Sequence, residues 1–354
     1  MLSTSSKPIS LIMARENLIC GIMKDLFGDG IFVVDGDKWR HQRKLASYEF
    51  STKVLRDFSS AVFRSNTARL SLKVYAAAQA NREMDLQDLL MKATMDSIFK
   101  VGFGVDLNTL SGSDEFSNQF IKAFDDSNVI VYWRYVDVLW RIKRFLNIGL
   151  ERNLKNNLKI IDNFVYELIH RKRDQMKNVK GAREDILSRF LVEKKVALEV
   201  RLATEVKDFL SIDEFGLRLT DVTLERMQYL HAALTETLRL YPAVPVDGKS
   251  SEEDDVLPDG YKIKKDAKEF RPERWLENGV FRSESPFKFT AFQGGPRICL
   301  GKEFAYRQMK IMAAALIFFF RFKLVDQSKE ATYRTMFTLH MDKGLHLYAF
   351  RRQS

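Results

Sequence analysis

Apolar residues recur along this chain with a period close to 3.6 over several long stretches, the signature of helices that bury one face. Residues 52–104 read as amphipathic helices; Leu86, Leu89, Leu90 and Ala93 carry the stripe, and Val101-Gly102-Phe103-Gly104 breaks it. Residues 115–178 are predicted helical again, first rich in aromatics (Phe116, Phe120, Phe124, Tyr132, Trp133, Tyr135, Trp140, Phe145) and then basic. Leu224, Met227, Leu230, Leu234 and Leu238 share one side of a helix predicted over Thr220–Leu240. Tyr241-Pro242 closes it, because the residue before a proline avoids helical backbone. A strongly apolar helix is predicted over Lys302–Phe320. Alternating segments come last, at Phe322–Val325 and Leu345–Phe350, around Gly344. Residues 1–23 are weakly patterned, and Gly28–Gly36 reads as a loop and turn. The prediction is a mainly α fold with small β-sheets.

Composition narrows the class. With 354 residues, 45% of them apolar and 27 phenylalanine, the chain can bury a sizeable core. Cys20 and Cys299 are the only cysteines, which excludes a disulfide framework and a multi-cysteine zinc site. The five histidines (His41, His170, His231, His340, His346) lack paired metal-ligand spacing. A net charge of +10 suits an anionic membrane surface, an acidic protein or nucleic acid. The basic residues are spread along helices, however, and His170-Arg171-Lys172-Arg173 reads as the solvated end of one. No nucleic-acid motif or stacking platform accompanies the charge, so no nucleic acid is expected as a partner. The longest apolar run, Ile311–Phe320, has ten residues, about half of a membrane span. Without an N-terminal basic and apolar leader either, the chain as written is expected to be neither secreted nor anchored.

Chemistry gathers at Phe292-Gln293-Gly294-Gly295-Pro296-Arg297-Ile298-Cys299-Leu300-Gly301. The glycines and the proline hold a loop out of regular structure, so its N–H groups can turn toward the sulfur. Gly301 leaves room for a flat ligand to come close. The helix that follows presents its positive end to Cys299 and favours the thiolate. Arg297 is placed to bind an acid group on the same ligand. These residues describe a single-thiolate cradle for a large planar anion; a lone buried structural cysteine is the bland alternative.

The pattern Phe-x-Gly-Gly-x-Arg-x-Cys-x-Gly closely resembles the haem-binding signature of the cytochrome P450 family, the haem-thiolate monooxygenases. The resemblance implies haem b as cofactor and Cys299 as axial iron ligand. Two further motifs join it. Trp39 and Arg43, four apart on one helix face, can both donate to a carboxylate, although a surface helix with a tucked tryptophan gives the same pattern. Beside the cysteine loop they resemble the family's helix that holds the haem propionates. Glu236 and Arg239, with Arg274 in Pro272-Glu273-Arg274-Trp275, resemble the family's structural triad, to which the resemblance gives a folding role. An exposed helical pair is the simpler reading of Glu236 and Arg239 alone.

The stretch Trp133–Phe145 reads either as ordinary helix packing or as an apolar roof with a cationic rim, suited to a long aliphatic acid. It resembles the corresponding part of plant long-chain fatty-acid ω-hydroxylases, which implies a fatty-acid substrate. Met336-Phe337-Thr338-Leu339 sits where the family's final substrate-contacting loop would lie. The resemblance further implies a flavoprotein NADPH-dependent reductase, with Lys302, Arg307 and Lys310 as candidate docking cations. It also implies a monomer at the endoplasmic reticulum membrane.

Parts of the family pattern are missing. The chain is expected to be one truncated domain over 1–354. It is expected to lack the N-terminal anchor and the first sheet, and also the central helix with Ala/Gly-Gly-x-Asp/Glu-Thr, since no glycine is followed by an acid and a threonine at that spacing. Internal gaps are expected near 195/196, where Lys195 meets Val196, and near 265/266, where Lys265 meets Asp266. The expected function is oxygen insertion into a C–H bond, with a catalytically inactive haem-binding or haem-free splice product as the alternative.

Overall fold

The computed structural model describes residues 13–14, 17–51, 53–112, 115–178, 193–204, 211–245, 250–251, 270–286, 288–326, 328 and 332–352. The gap expected at 265/266 lies outside them. The one at 195/196 falls within a described helix, although side chains 193–198 do not.

The described helices begin with α1 (Asn17–Phe27), α2 (Gly36–Ser51), α3 (Lys53–Gln79), α4 (Leu86–Phe103) and α5 (Glu115–Trp133). After them come α6 (Trp140–Leu146), α7 (Leu150–Asn178), α8 (Glu193–Thr204), α9 (Ile212–Arg218), α10 (Asp221–Arg226), α11 (Gln228–Leu240) and α12 (Lys302–Phe319). Helix α1 occupies a stretch whose pattern promised little. The predicted 220–240 helix is two helices, broken at buried Met227 with ψ 72°. Its second half has its own cap: the Glu199 carboxylate accepts from the N–H groups of Tyr229 (2.6 Å) and Leu230 (2.7 Å). That contact also ties α8 to α11.

Helix α12 is the centre of the core. Every residue from Gln308 to Ile317 is buried, as an apolar run with three consecutive alanines allows neighbours on all sides. Phe304 meets Phe63 of α3 edge-on at 5.1 Å, so α3 and α12 lock through aromatic rings. A second cluster joins Ile22 and Met23 of α1 to Val131, Trp140 and Leu154.

The strands are short and antiparallel. β1 (Met13–Ala14) pairs with β3 (Ser250–Ser251), and β4 (Leu276–Glu277) with β5 (Val280–Phe281). β2 (Met84–Asp85) and β6 (Phe320–Leu324) flank β9 (His346–Arg351). β7 (Tyr333–Thr335) and β8 (Leu339–Met341) form a hairpin whose turn carries Phe337. The Leu339 N–H bonds the Ala243 carbonyl at 2.9 Å, and Tyr333 stacks on Tyr241, so the hairpin is pinned to the end of α11.

The 133–145 stretch differs from the roof that its pattern allowed. Arg134 is no rim cation. It is buried, bidentate to Glu151 at 2.8 and 2.5 Å, bonded to Asp25 at 2.8 Å and to the Ile22 carbonyl at 2.9 Å, and stacked over Trp140. Arg144 and Lys143 pair with Asp25 and Asp137. Apart from buried Trp140, the apolar side chains of residues 136–150 point to solvent instead of lining a pocket. A buried arginine with three acceptors fixes the chain here, and the short α6 can bury little beyond Trp140.

Candidate active site

The cysteine loop is shaped by local backbone chemistry. Gln293 and Gly295 adopt left-handed conformations (φ +66° and +69°), and Gly295–Arg297 forms one 3-10 turn. The Cys299 N–H then returns to the Phe292 carbonyl at 2.8 Å, closing the loop. The Phe292 ring packs 5.4 Å from that of Tyr306, which anchors the loop to α12. Gly301 starts α12, and its N–H bonds the Cys299 sulfur. A Cβ added there would stand 3.6 Å from the Phe50 ring and 3.8 Å from the sulfur, in ordinary contact. The protein by itself therefore tolerates a methyl at Gly301, and any stricter need for glycine comes from a ligand.

Helix α2 brings two distant residues to this loop. Arg43 donates to the Ile298 carbonyl, across 255 positions of sequence. Trp39, one turn earlier, lies under the Arg297 guanidinium, 4.4 Å from ring centre to carbon. Arg297 in turn pairs with Asp35, which precedes Trp39 by one turn. Cys299, Arg297, Trp39 and Arg43 are thus neighbours. Asp35 was not picked out from sequence; its one signal is the i, i+4 spacing from Trp39.

Electrostatics at the sulfur differ from expectation. Cys299 is exposed as a residue, yet partial desolvation of its sulfur pushes the thiol upward, against the Gly301 N–H and the Arg43 charge, which pull it down. The helix end acts in the expected direction and is outweighed. Burial also lowers Arg43, and the nearby Arg297 charge adds to the effect while Cys299 opposes it. Arg43 lends its charge to the thiol and Arg297 stands close to Arg43, a donor set that fits an anion carrying a soft-ligand metal.

Behind the loop, Glu236 is fully buried and takes charge-assisted bonds from Arg239 (2.8 and 3.0 Å) and Arg274 (2.8 Å). The Arg271 N–H and the Trp275 indole, both at 2.8 Å, complete its shell. Burial alone would raise its pKa; these donors outweigh burial and lower it to about 2. Arg271 and Trp275 were missed from sequence, and only Trp275's place after Arg274 hinted at a role. The triad residues do meet, as a fully bonded buried carboxylate.

The family model described as cytochrome P450 matches residues 21–211, 198–268 and 265–348. The chain belongs to the cytochrome P450 family. It is 44% identical to cytochrome P450 704C1 of Pinus taeda over 406 aligned positions, covering 92% of this chain and 78% of that one. Cytochrome P450 704B1 of Arabidopsis thaliana is 37% identical, with 93% and 81% covered. Cytochrome P450 86B1 of the same plant is 34% identical, with 96% and 72% covered. Among solved structures, a cytochrome P450 (CYP102L1) superposes with a TM-score of 0.71 at 18% identity, covering 97% of this chain and 89% of that one, a likeness of fold.

Cytochromes P450 are haem b monooxygenases, and the thiol flanked by guanidinium and indole donors fits that cofactor. The cations proposed for a P450 docking face fare unevenly. Lys310 is buried, with Nζ on the Leu224 carbonyl at 2.7 Å, and burial lowers its pKa to about 8. Arg307 is drawn aside by Asp221 at 3.1 Å. Lys302 is half-buried at the start of α12, and its charge acts on His231.

Proposed function

We propose that this P450 hydroxylates a long-chain fatty acid, with Cys299 as the residue that would hold its haem iron. The convergence of Arg43, Trp39 and Arg297 on the Cys299 loop carries the reading, since two segments more than 250 residues apart supply complementary donors. Bound haem would supply the chemistry, placing one oxygen atom from O2 into a C–H bond. Cys299 binds the metal, and the Gly301 N–H tempers the sulfur's charge. Arg43, Arg297 and Trp39 would hold the propionates of the bound group. Phe292 props the loop, and Glu236 with Arg239 and Arg274 holds the scaffold behind it.

The fatty-acid assignment is supported by the resemblance of residues 133–145 to plant ω-hydroxylases and by an aromatic wall. Phe337, at the β7–β8 turn, sits edge-on to Phe27, Tyr132 and Tyr135, joining α1, α5 and the hairpin around an apolar surface. A flavoprotein reductase supplies electrons, and the site of action is the endoplasmic reticulum membrane.

A second reading is a haem-binding or haem-free product without turnover. The absent Gly-x-Asp/Glu-Thr element favours it, because a proton-delivering acid and hydroxyl then have no counterpart. The family model breaks at 198–211 and 265–268, near the junctions 195/196 and 265/266. The alignment with the Pinus taeda relative is also longer than the chain itself, at 406 positions. Both support internal segments present in relatives and lacking here.

One experiment separates these readings. The chain is expressed, reduced and exposed to carbon monoxide; a thiolate-type Soret band that vanishes in Cys299→Ser is expected. An identical spectrum in the variant would refute Cys299 as ligand, and no haem uptake would leave only the second reading. Long-chain fatty acids should be turned over faster than bulky ring substrates; the reverse order removes the substrate assignment.

A further inference from the structure

Buried hydroxyls on the helices of this protein have a habitual partner. Ser60, Ser97, Ser127 and Thr235 each donate to the carbonyl four residues back, at 2.6–2.8 Å. Two hydroxyls on α3 break that habit. Thr67 and Ser71 are buried, and neither oxygen has a hydrogen-bond partner within the protein. Gln308 on α12 is fully buried too, and its Oε1 is the third such atom. Among the described residues no other buried side-chain nitrogen or oxygen is left unpaired.

The fold brings these three atoms together. Helices α3 and α12 lie side by side and run the same way. In their first halves Phe63 meets Phe304 at 5.1 Å. Near their ends Arg351 covers the Tyr75 ring, and the Arg352 N–H bonds the Phe319 carbonyl at 2.9 Å. Thr67 and Gln308 each stand one turn beyond the phenylalanine pair, and Ser71 follows at the next turn of α3. The Gln308 amide nitrogen turns along its own helix to the Met312 sulfur, 3.9 Å away, which leaves the oxygen for the neighbouring helix.

A buried donor or acceptor without a partner destabilises by more than an ordinary hydrogen bond contributes. The donor and acceptor count here fits one water molecule. It accepts from the Thr67 and Ser71 hydroxyls and donates to Gln308 Oε1, and three bonds are usual for an internal water. We propose that Thr67, Ser71 and Gln308 form an internal water-binding site that joins α3 to α12. Its position gives it a task. Helix α3 follows α2, which carries Trp39 and Arg43, and α12 opens beyond Gly301, next to Cys299. A water clasping the two helices behind the loop fixes the register between both halves of the cradle. The site does not depend on the fatty-acid reading, and it can be tested on the chain without haem.

Oxygen-17 magnetic relaxation dispersion counts long-lived internal waters in the full chain. Thr67→Val with Ser71→Ala, and separately Gln308→Met, should each lower that count by one from wild type. Thr67→Ser keeps a hydroxyl and should keep the count. Urea unfolding gives a second readout. The Thr67/Ser71 variant and Gln308→Met should each lower the folded-to-unfolded ratio about fivefold or more, because the groups left behind lose their partner. The triple variant is apolar throughout and should recover much of that loss, which makes the cycle non-additive. A water count unchanged in every variant overturns the proposal. Stabilisation by Gln308→Met overturns it as well, since the three atoms would then be dry. Strict additivity also overturns it, by showing hydroxyls closed onto the Phe63 and Thr67 carbonyls. Should Gln308→Met fail to fold, the water count of the Thr67/Ser71 variant decides.

Discussion

At the residue scale the most demanding group is Glu236. A carboxylate with no solvent contact survives because Arg239, Arg274, the Trp275 indole and the Arg271 N–H saturate it. Removing it strands two guanidinium groups, so Glu236→Ala should cost about 3–5 kcal/mol in urea unfolding. Its folded pKa of about 2 lies below the ordinary 4.5, so its contribution is complete above pH 4.5 and fades as pH falls through 2. An Ala variant as stable as wild type at pH 7 would disprove the role. His231 behaves in the same direction for another reason. It is stacked between Phe281 and Tyr306, and burial, with help from Lys310 and Lys302, lowers its pKa to about 3. Between pH 6.5 and 3 the unfolded chain takes up a proton that the native state refuses, so acid lowers stability, by up to about 1.4 kcal/mol per pH unit. His231→Phe keeps the stack and should flatten that part of the curve; a parallel curve would exclude His231 as its source. Sequence showed Glu236, Arg239 and Arg274 through spacing and order. It could not show Arg271, whose part is played by a backbone N–H, or His231, whose neighbours come from other elements.

At the element scale, periodicity predicts well where helices bury one long face and poorly where tertiary contacts set the ends. Residues 53–103 contain the helices expected of them, α3 and α4. The break at Met227 has no breaker residue in sequence; it follows from Glu199 capping α11 from outside. Asp85 shows the same kind of long-range ending. It caps α4 through the N–H groups of Gln87 and Asp88, and it accepts from Leu345 at 2.9 Å, next to Gly344 in the turn before β9. Gly344 has φ +71°, and an added Cβ would lie 2.2 Å from an Asp85 oxygen. Gly344→Ala should therefore cost more than the usual price of a left-handed alanine, about 1–3 kcal/mol. Asp85→Ala should cost about 1–2 kcal/mol by loss of the cap. The double variant should fall short of their sum, because removing the carboxylate relieves the clash. Strict additivity in a thermodynamic cycle would show that the clash is not what makes glycine necessary.

At the scale of the whole molecule, the question is whether a chain proposed to lack internal segments holds its cofactor. The signature loop and the α2 donors are legible from a few residues because chemistry fixes their types and spacing. The outward turn of residues 136–150 is not, since a period of 3.6 says which positions share a face and not which way that face looks. The proposed loss of internal segments rests on a family pattern and on two abrupt junctions in the sequence. Those junctions make the strongest global prediction. A long central helix would bring far more apolar burial than the few kcal/mol that separate folded from unfolded domains. Restoring the corresponding relatives' segments at 195/196 and 265/266 should raise both the melting temperature and the haem bound per chain, measured by absorbance after reconstitution. The two readouts should move together, because the same helix supplies core and pocket wall. If the chain as it stands already takes up one haem per molecule with a thiolate-type carbon monoxide band, and the lengthened form melts no higher, then α8 and its neighbours supply that wall themselves. The junctions would then be a shortened but working version of the fold.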